Sequence, residues 1–162
     1  MNRKPIVPDV DRTPLAQLSE AGVHAIVGYQ LAQATIVTDH VFSERVGRHG
    51  ELRRVEFTIL ALVQGNPGVT ARQLARALAV TPPNIAIWID KLETRGLVAR
   101  TRGQSDARMQ HIRLTSNGAA LVDRSVRLLI EGEQAAMAGL SGAERAMLVE
   151  LLHKVALSRK VR

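Results

Sequence analysis

At Gly96 the apolar pattern of this chain changes period. Upstream, apolar residues recur every three or four positions; from Leu97 they alternate, in Leu97-Val98-Ala99-Arg100-Thr101-Arg102 and again in Met109-Gln110-His111-Ile112-Arg113-Leu114. A period near 3.6 marks a helix with one buried face and a period of two marks a half-buried strand, so helices here must give way to a hairpin. The polar loop Gly103 to Arg108 closes that hairpin. Just upstream, Thr70 and Gln73 have capping-box spacing for a short helix with Leu74 and Leu78 inside. Ala79-Val80 then reads as a tight turn. Thr81-Pro82, a cap followed by proline at the first helical position, opens the next helix, which runs through Trp88 and Leu92 to Arg95. A short helix, a turn and a second helix followed by a basic hairpin describe a winged helix-turn-helix.

Helices flank this centre on both sides. Residues 1–12 are polar, proline-bearing and aperiodic, and read as a flexible arm. Thr13-Pro14 predicts the start of a long helix whose stripe includes Leu15, Leu18, Ile26, Tyr29, Val37 and Val41, ending near Gly47. Leu52 to Val63 carries a further helix, stopped by Gly65-Asn66-Pro67-Gly68. After the hairpin, Thr115 to Gly118 caps a helix holding Leu121, Val122, Val126, Leu129 and Ile130. Ser141 and Glu144 form another capping box before Met147, Leu148, Leu151, Leu152 and Val155. The fold class is mainly α with a small β-hairpin wing. Its organisation is an arm (1–12), a first helical region (13–50), the winged helix-turn-helix (51–115) and two C-terminal helices (116–162).

Charge then locates the function. The 162 residues hold 22 Lys and Arg against 15 Asp and Glu, and residues 51–115 hold ten basic and five acidic side chains, most of the net +7. A localised excess points to an anion-binding surface, with double-stranded DNA as the expected partner. On the helix after the turn, Ile85, Trp88, Ile89 and Leu92 fall on one side, while Pro83 and Ile87 project opposite, flanked by Asn84 and Lys91. Asn can pair with an adenine edge or a phosphate, Lys can meet phosphate, and Ile or Pro can pack on thymine methyls. An apolar residue facing away from the core wants a partner surface. In the hairpin, Arg100, Arg102 and Arg108 surround a polar tip where Asp106 can orient the Arg108 guanidinium toward a narrow minor groove. A structural ion pair in a solvated loop is the other reading of that pair.

The run Leu74-Ala75, Leu92-Glu93-x-x-Gly96-Leu97-Val98-x-Arg100, Asp106-x-Arg108 and Leu114-Thr115-x-x-Gly118 resembles the multiple-antibiotic-resistance regulator (MarR) family of bacterial transcription factors. The resemblance implies a dimeric winged helix-turn-helix protein on pseudo-palindromic operators, usually a repressor relieved by a small ligand. It places the recognition helix on Thr81 to Arg95 and the wing-tip pair on Asp106 and Arg108. Where family recognition helices often show Thr-Arg, this chain has Ala86-Ile87, and it has Ala107 where a second basic residue is common. More of the binding then falls on Asn84, Lys91 and the wing, with Arg72 and Arg76 as phosphate contacts or solvated surface arginines.

The terminal helices carry more apolar surface than a small winged-helix core needs, so pairing with a second copy through Leu15, Leu18, Met147, Leu148, Leu151, Leu152 and Val155 is expected; a bundle closed within one chain is the alternative. Since family members bind phenolic or carboxylate effectors near these helices, His24, Tyr29 and Arg53 are candidate ligand contacts, with packed core residues as the competing reading. Without cysteine there is no thiol redox sensor, and the chain shows no metal-ligand spacing among its histidines, no phosphate loop and no nucleophile elbow. No catalytic, metal or cofactor residue is therefore assigned. With no signal peptide and no membrane-length apolar run, a cytoplasmic protein is expected. The rival to DNA binding is a winged-helix protein-interaction module in which Ile87 is a hydrophobic contact.

Overall fold

A computed structural model describes residues 11–48, 52–102 and 110–159, the side chain of Arg102 excepted. Its helices are α1 (Val27–Phe42), α2 (Arg54–Gly65), α3 (Ala71–Leu78), α4 (Pro82–Thr94), α5 (Ser116–Ala136) and α6 (Gly142–Leu157). A π-helical turn, Ser43–Gly47, continues α1. The strands β1 (Val69–Thr70), β2 (Val98–Arg102) and β3 (Gln110–Leu114) form an antiparallel sheet in the order β1-β3-β2. The chain divides into two compact units, residues 1–40 and 41–162.

The first unit departs from the expected long helix. Thr13 does not cap a helix: its hydroxyl donates to the Leu15 carbonyl at 2.6 Å and accepts from the Leu18 amide at 3.0 Å. Arg12 and Ser19 form an antiparallel bridge, and Ala16 and Gln17 take left-handed backbone angles (φ 64° and 53°) that no right-handed helix can pass through. Residues 11–20 are therefore a tight hairpin-like turn, and α1 begins only at Val27.

The second unit is built as the periodicity predicts, with one added strand. Ile59, Leu60 and Val63 of α2, Leu74 of α3, Ile85, Ile89 and Leu92 of α4, Ile112 of β3 and Val122 of α5 form its core. Phe42 extends it, tilted at 56° on Phe57 with 5.9 Å between ring centroids. The Arg54 guanidinium lies 5.1 Å above the Phe42 ring, a cation–π contact. Val69-Thr70 is too short to announce itself as a strand, yet it pairs with Ile112 and His111 of β3. His111 Nδ1 meets the Gly68 carbonyl oxygen at 2.6 Å beside that pairing.

The capping signals divide by chemistry. Thr70 and Gln73 cap α3 reciprocally, Thr115 accepts from the Gly118 amide at 3.1 Å, and Ser141 and Glu144 form a complete box on α6. The hydrogen bonds from Ser141 hold the Glu144 carboxyl below the usual carboxylate range. Thr81 occupies the N-cap position of α4, but its side chain makes no capping bond. Pro83 offers no amide hydrogen, and the Asn84 amide already reaches the Thr81 carbonyl at 3.1 Å, so the hydroxyl has nothing to cap.

One junction fixes the rest of this unit. The Leu97 amide donates to the Leu92 carbonyl as α4 ends, and the Leu97 carbonyl accepts from the Thr115 amide at 3.1 Å as α5 begins. The Thr115 hydroxyl donates to the Gly96 carbonyl at 2.7 Å. A Cβ at Gly118 would overlap the Leu97 carbonyl oxygen, so only glycine lets α5 start this close. Farther along α5, a Cβ at Gly132 would come within 2.7 Å of Val41 Cγ1. Gly118→Ala is expected to cost about 3 kcal/mol, because the clash is with backbone that cannot rotate away. Gly139→Ala, with nothing within 4 Å of the added carbon, is the control; urea denaturation of both variants checks the difference.

Candidate nucleic-acid interface

Helix α4 turns one side into the core and the other to solvent. Ile85, Ile89 and Leu92 are buried and Trp88 is half-buried against the core, whereas Pro83, Asn84, Ile87 and Lys91 are exposed. Thr81 is exposed at the start of the same helix. On α3, which precedes it, Arg72 and Arg76 lie one turn apart and are also exposed. The helix pair thus exposes Arg72 and Arg76 on α3 and, on α4, Asn84 and Lys91 beside an apolar strip made by Pro83 and Ile87.

Arg100 turns toward the body of the protein. Register pairs it with Ile112, whose side chain is in the core, so strand alternation turns Arg100 inward toward α4. Its Nη1 donates to Glu93 Oε2 at 2.8 Å, its Nη2 donates to Asp90 Oδ1, and its amide reaches Glu93 Oε1 at 3.3 Å. Two carboxylates on successive turns of α4 hold one guanidinium, so any DNA phosphate has to compete with both. A second tie lies deeper: Arg95, where α4 ends, has Nη1 3.6 Å from Oε2 of Glu56, a buried carboxylate that also accepts from the Arg53 amide at 3.0 Å. Sequence reading missed these partners, although Asp90 and Glu93 at i, i+3 and the inward parity of Arg100 were both signals for them. Arg102 pairs with Gln110 through the backbone at the end of β2. Asp106 and Arg108 lie outside the described residues.

The candidate ligand contacts separate. In the first unit, Tyr29 donates its hydroxyl to Glu20 Oε1 at 2.7 Å, and His24 Nδ1 sits 3.6 Å from the other Glu20 oxygen, too far for a hydrogen bond. Glu20 is itself buried. That hydrogen bond, with burial and the Glu20 charge behind it, raises the Tyr29 phenol above its ordinary pKa, against a smaller opposing effect of Gln33. Arg53 is exposed at the N-cap of α2. Arg53 does not line the open cleft of about 330 Å³ that the second unit contains. Its walls are Val46, Leu121 and Leu128, with Arg45 and Arg124 at its edges, the buried Ser125 and Glu44, which pairs with Arg48 at 2.8 Å. Arg45 and Arg124 have no acidic partner among the described residues.

The apolar residues predicted for self-association are uncovered. Leu15, Leu18, Met147, Leu148, Leu151, Leu152 and Val155 are all exposed, and α6 has no buried residue along its whole length. Among the described residues no group of three or more His, Asp or Glu side chains is arranged to hold a metal ion, and no helix is long and apolar enough to cross a membrane.

Known proteins share this architecture. Residues 51–109 match the sequence model of the MarR family. An HTH-type transcriptional repressor of Mycobacterium tuberculosis is 30% identical over 100 residues, covering 62% of this chain and 72% of that protein. The transcriptional repressor CouR, solved bound to a 23-mer DNA duplex, superposes with a TM-score of 0.76 at 30% identity, over 87% of this chain and 99% of its own. BpsR of Bordetella bronchiseptica, whose DNA binding is described as regulated by 6-hydroxynicotinic acid, superposes with a TM-score of 0.74 at 25% identity, over 85% and 97% of the two chains.

The Arg100 clamp makes a separable forecast. Arg100→Met keeps the stem but leaves Asp90 and Glu93 unneutralised beside the exposed face of α4. Stability should fall by about 1 kcal/mol, as for a part-exposed ion pair, while affinity for DNA falls about tenfold through like-charge repulsion. Adding Asp90→Asn should restore part of the affinity. Thermal melts and fluorescence anisotropy separate the two effects; a lowered melting temperature with unchanged affinity would assign Arg100 to stability alone.

Proposed function

The chain belongs to the MarR family of DNA-binding transcriptional regulators, and on that premise we propose that it acts as a homodimeric repressor, released from a pseudo-palindromic operator by a small aromatic or carboxylate ligand. The exposed face of α4 carries this reading: a basic and amide-bearing rim around an apolar strip, presented by a helix-turn-helix whose wing strand is clamped to the same helix. Each α4 enters a major groove, with half-sites about one turn of DNA, roughly 10 bp, apart. Arg72 and Arg76 meet phosphates, and Arg108, together with Asp106 and Arg102, is assigned to the flanking minor groove.

Dimerisation is supported by α6, a helix rich in apolar side chains none of whose residues is buried. A helix of this composition is stable in water only when its apolar side chains are buried, and a second copy supplies a matching surface through Leu148, Leu151, Leu152 and Val155. Leu15 and Leu18, in the N-terminal turn, are exposed apolar residues of the same kind.

For the effector, the cleft of the second unit fits an acid better than the His24 and Tyr29 cluster does. At Tyr29 the hydroxyl is already committed to Glu20, and a carboxylate ligand would face that buried acid. In the cleft, Arg45 and Arg124 offer two guanidinium groups over an apolar floor, and Glu44 is balanced by Arg48. The regulation of the Bordetella protein by 6-hydroxynicotinic acid supports the same ligand chemistry.

Binding to DNA should weaken linearly in log affinity against log salt, by about 0.9 for each phosphate neutralised. Arg108→Ala should weaken binding strongly at unchanged dimer mass, and Leu151→Glu should halve the mass by light scattering. Affinity insensitive to salt would favour a protein-binding module instead. With a panel of aromatic carboxylates, release of DNA by the wild type should need about tenfold more ligand in Arg124→Gln, the loss of one charged hydrogen bond.

A further inference from the structure

Helix α4 offers few polar side chains for reading bases. Of those on its exposed side, Asp90 is held by Arg100, and the Thr94 hydroxyl donates to the Asp90 carbonyl at 2.9 Å. Asn84 and Lys91 make no side-chain hydrogen bond or ion pair among the described residues. Beside them stands an apolar strip, Pro83 and Ile87 on successive turns, with Ile87 51% exposed although the isoleucines facing the other way, Ile85 and Ile89, are fully buried. About half of the Ile87 side chain is left open by the described residues, and Lys91 beside it supplies the positive charge that suits a DNA groove.

We propose that Ile87, backed by Pro83, determines operator sequence by packing against the 5-methyl group of a thymine in each half-site. The inference rests on the DNA-binding reading above. In the major groove the thymine methyl is the one distinctly apolar group that a base edge presents. Isoleucine placed over guanine or adenine would strip water from N7 without returning a hydrogen bond, a cost that thymine does not impose. One methyl group buried against the side chain is worth about fourfold in affinity for each half-site. Asn84 and Lys91 set the frame in which that contact falls; the strip itself distinguishes thymine from cytosine by shape and solvation.

The experiment uses the full chain and DNA altered by single methyl groups. Bound sequences are first selected from random duplexes, and each thymine of the recovered operator is then replaced in turn by uracil, which removes only the methyl. One thymine in each half-site should lose about fourfold in affinity on replacement, and cytosine there should recover part of its deficit as 5-methylcytosine. In Ile87→Ala, whose fold is checked by its melting curve, thymine and uracil should bind alike at that position. Uracil tolerated at every position by the wild type overturns the proposal, as does a methyl effect that persists unchanged in Ile87→Ala. Failure to recover any operator is a different result: it overturns the DNA-binding reading and this inference with it.

Discussion

The carbonyl of Leu97 is where the winged unit is fastened together. Helix α4 ends with the Leu97 amide bonded back to Leu92, the strand that follows leaves from the same residue, and α5 starts by donating the Thr115 amide to the Leu97 oxygen. Gly118 allows this approach because it brings no Cβ toward that oxygen. Helix α4, strand β2 and helix α5 therefore meet at one residue. The buried Ile85, Ile89 and Leu92 then have a fixed direction in which to face, and so by geometry does the opposite side of α4.

Much of this unit was legible because its signals are local. Thr70 with Gln73 and Ser141 with Glu144 close capping boxes that depend on a few successive residues, and the core stripe of α4 follows from helix geometry alone. The alternation after Gly96 announced β2 and β3. Strand β1 did not show, because Val69-Thr70 is two residues long and exists only through pairing with Ile112 and His111 far along the chain. Thr81 shows the limit of local rules in another way. The same Thr-Pro signal that suggests a cap is followed by Pro83, which removes the amide hydrogen a cap would accept.

The first unit shows what tertiary context overrides. Thr13-Pro14 has the composition of a helix start, yet the Thr13 hydroxyl is used by Leu15 and Leu18, and the left-handed Ala16 and Gln17 turn the chain back. His24 and Tyr29 were visible as polar residues on an apolar stripe, but their shared partner, Glu20, was hidden by a loop whose path no periodicity describes. The cleft with Arg45 and Arg124 was equally invisible, since its two walls are about 80 positions apart in sequence. Arg100 was seen as a charge and not as a clamp; counting strand parity from Val98 puts it on the inner face beside Asp90 and Glu93.

That clamp also bears on how such a protein can change over evolutionary time. Because one guanidinium binds the strand to two turns of α4, the base of the wing is tied to the helix by side chains as well as by the chain. A substitution that shifts the helix then carries the base of the wing with it. On the proposed reading of DNA, new target sequences are reached by exchanging side chains on the exposed strip, and not by sliding one reading element past the other.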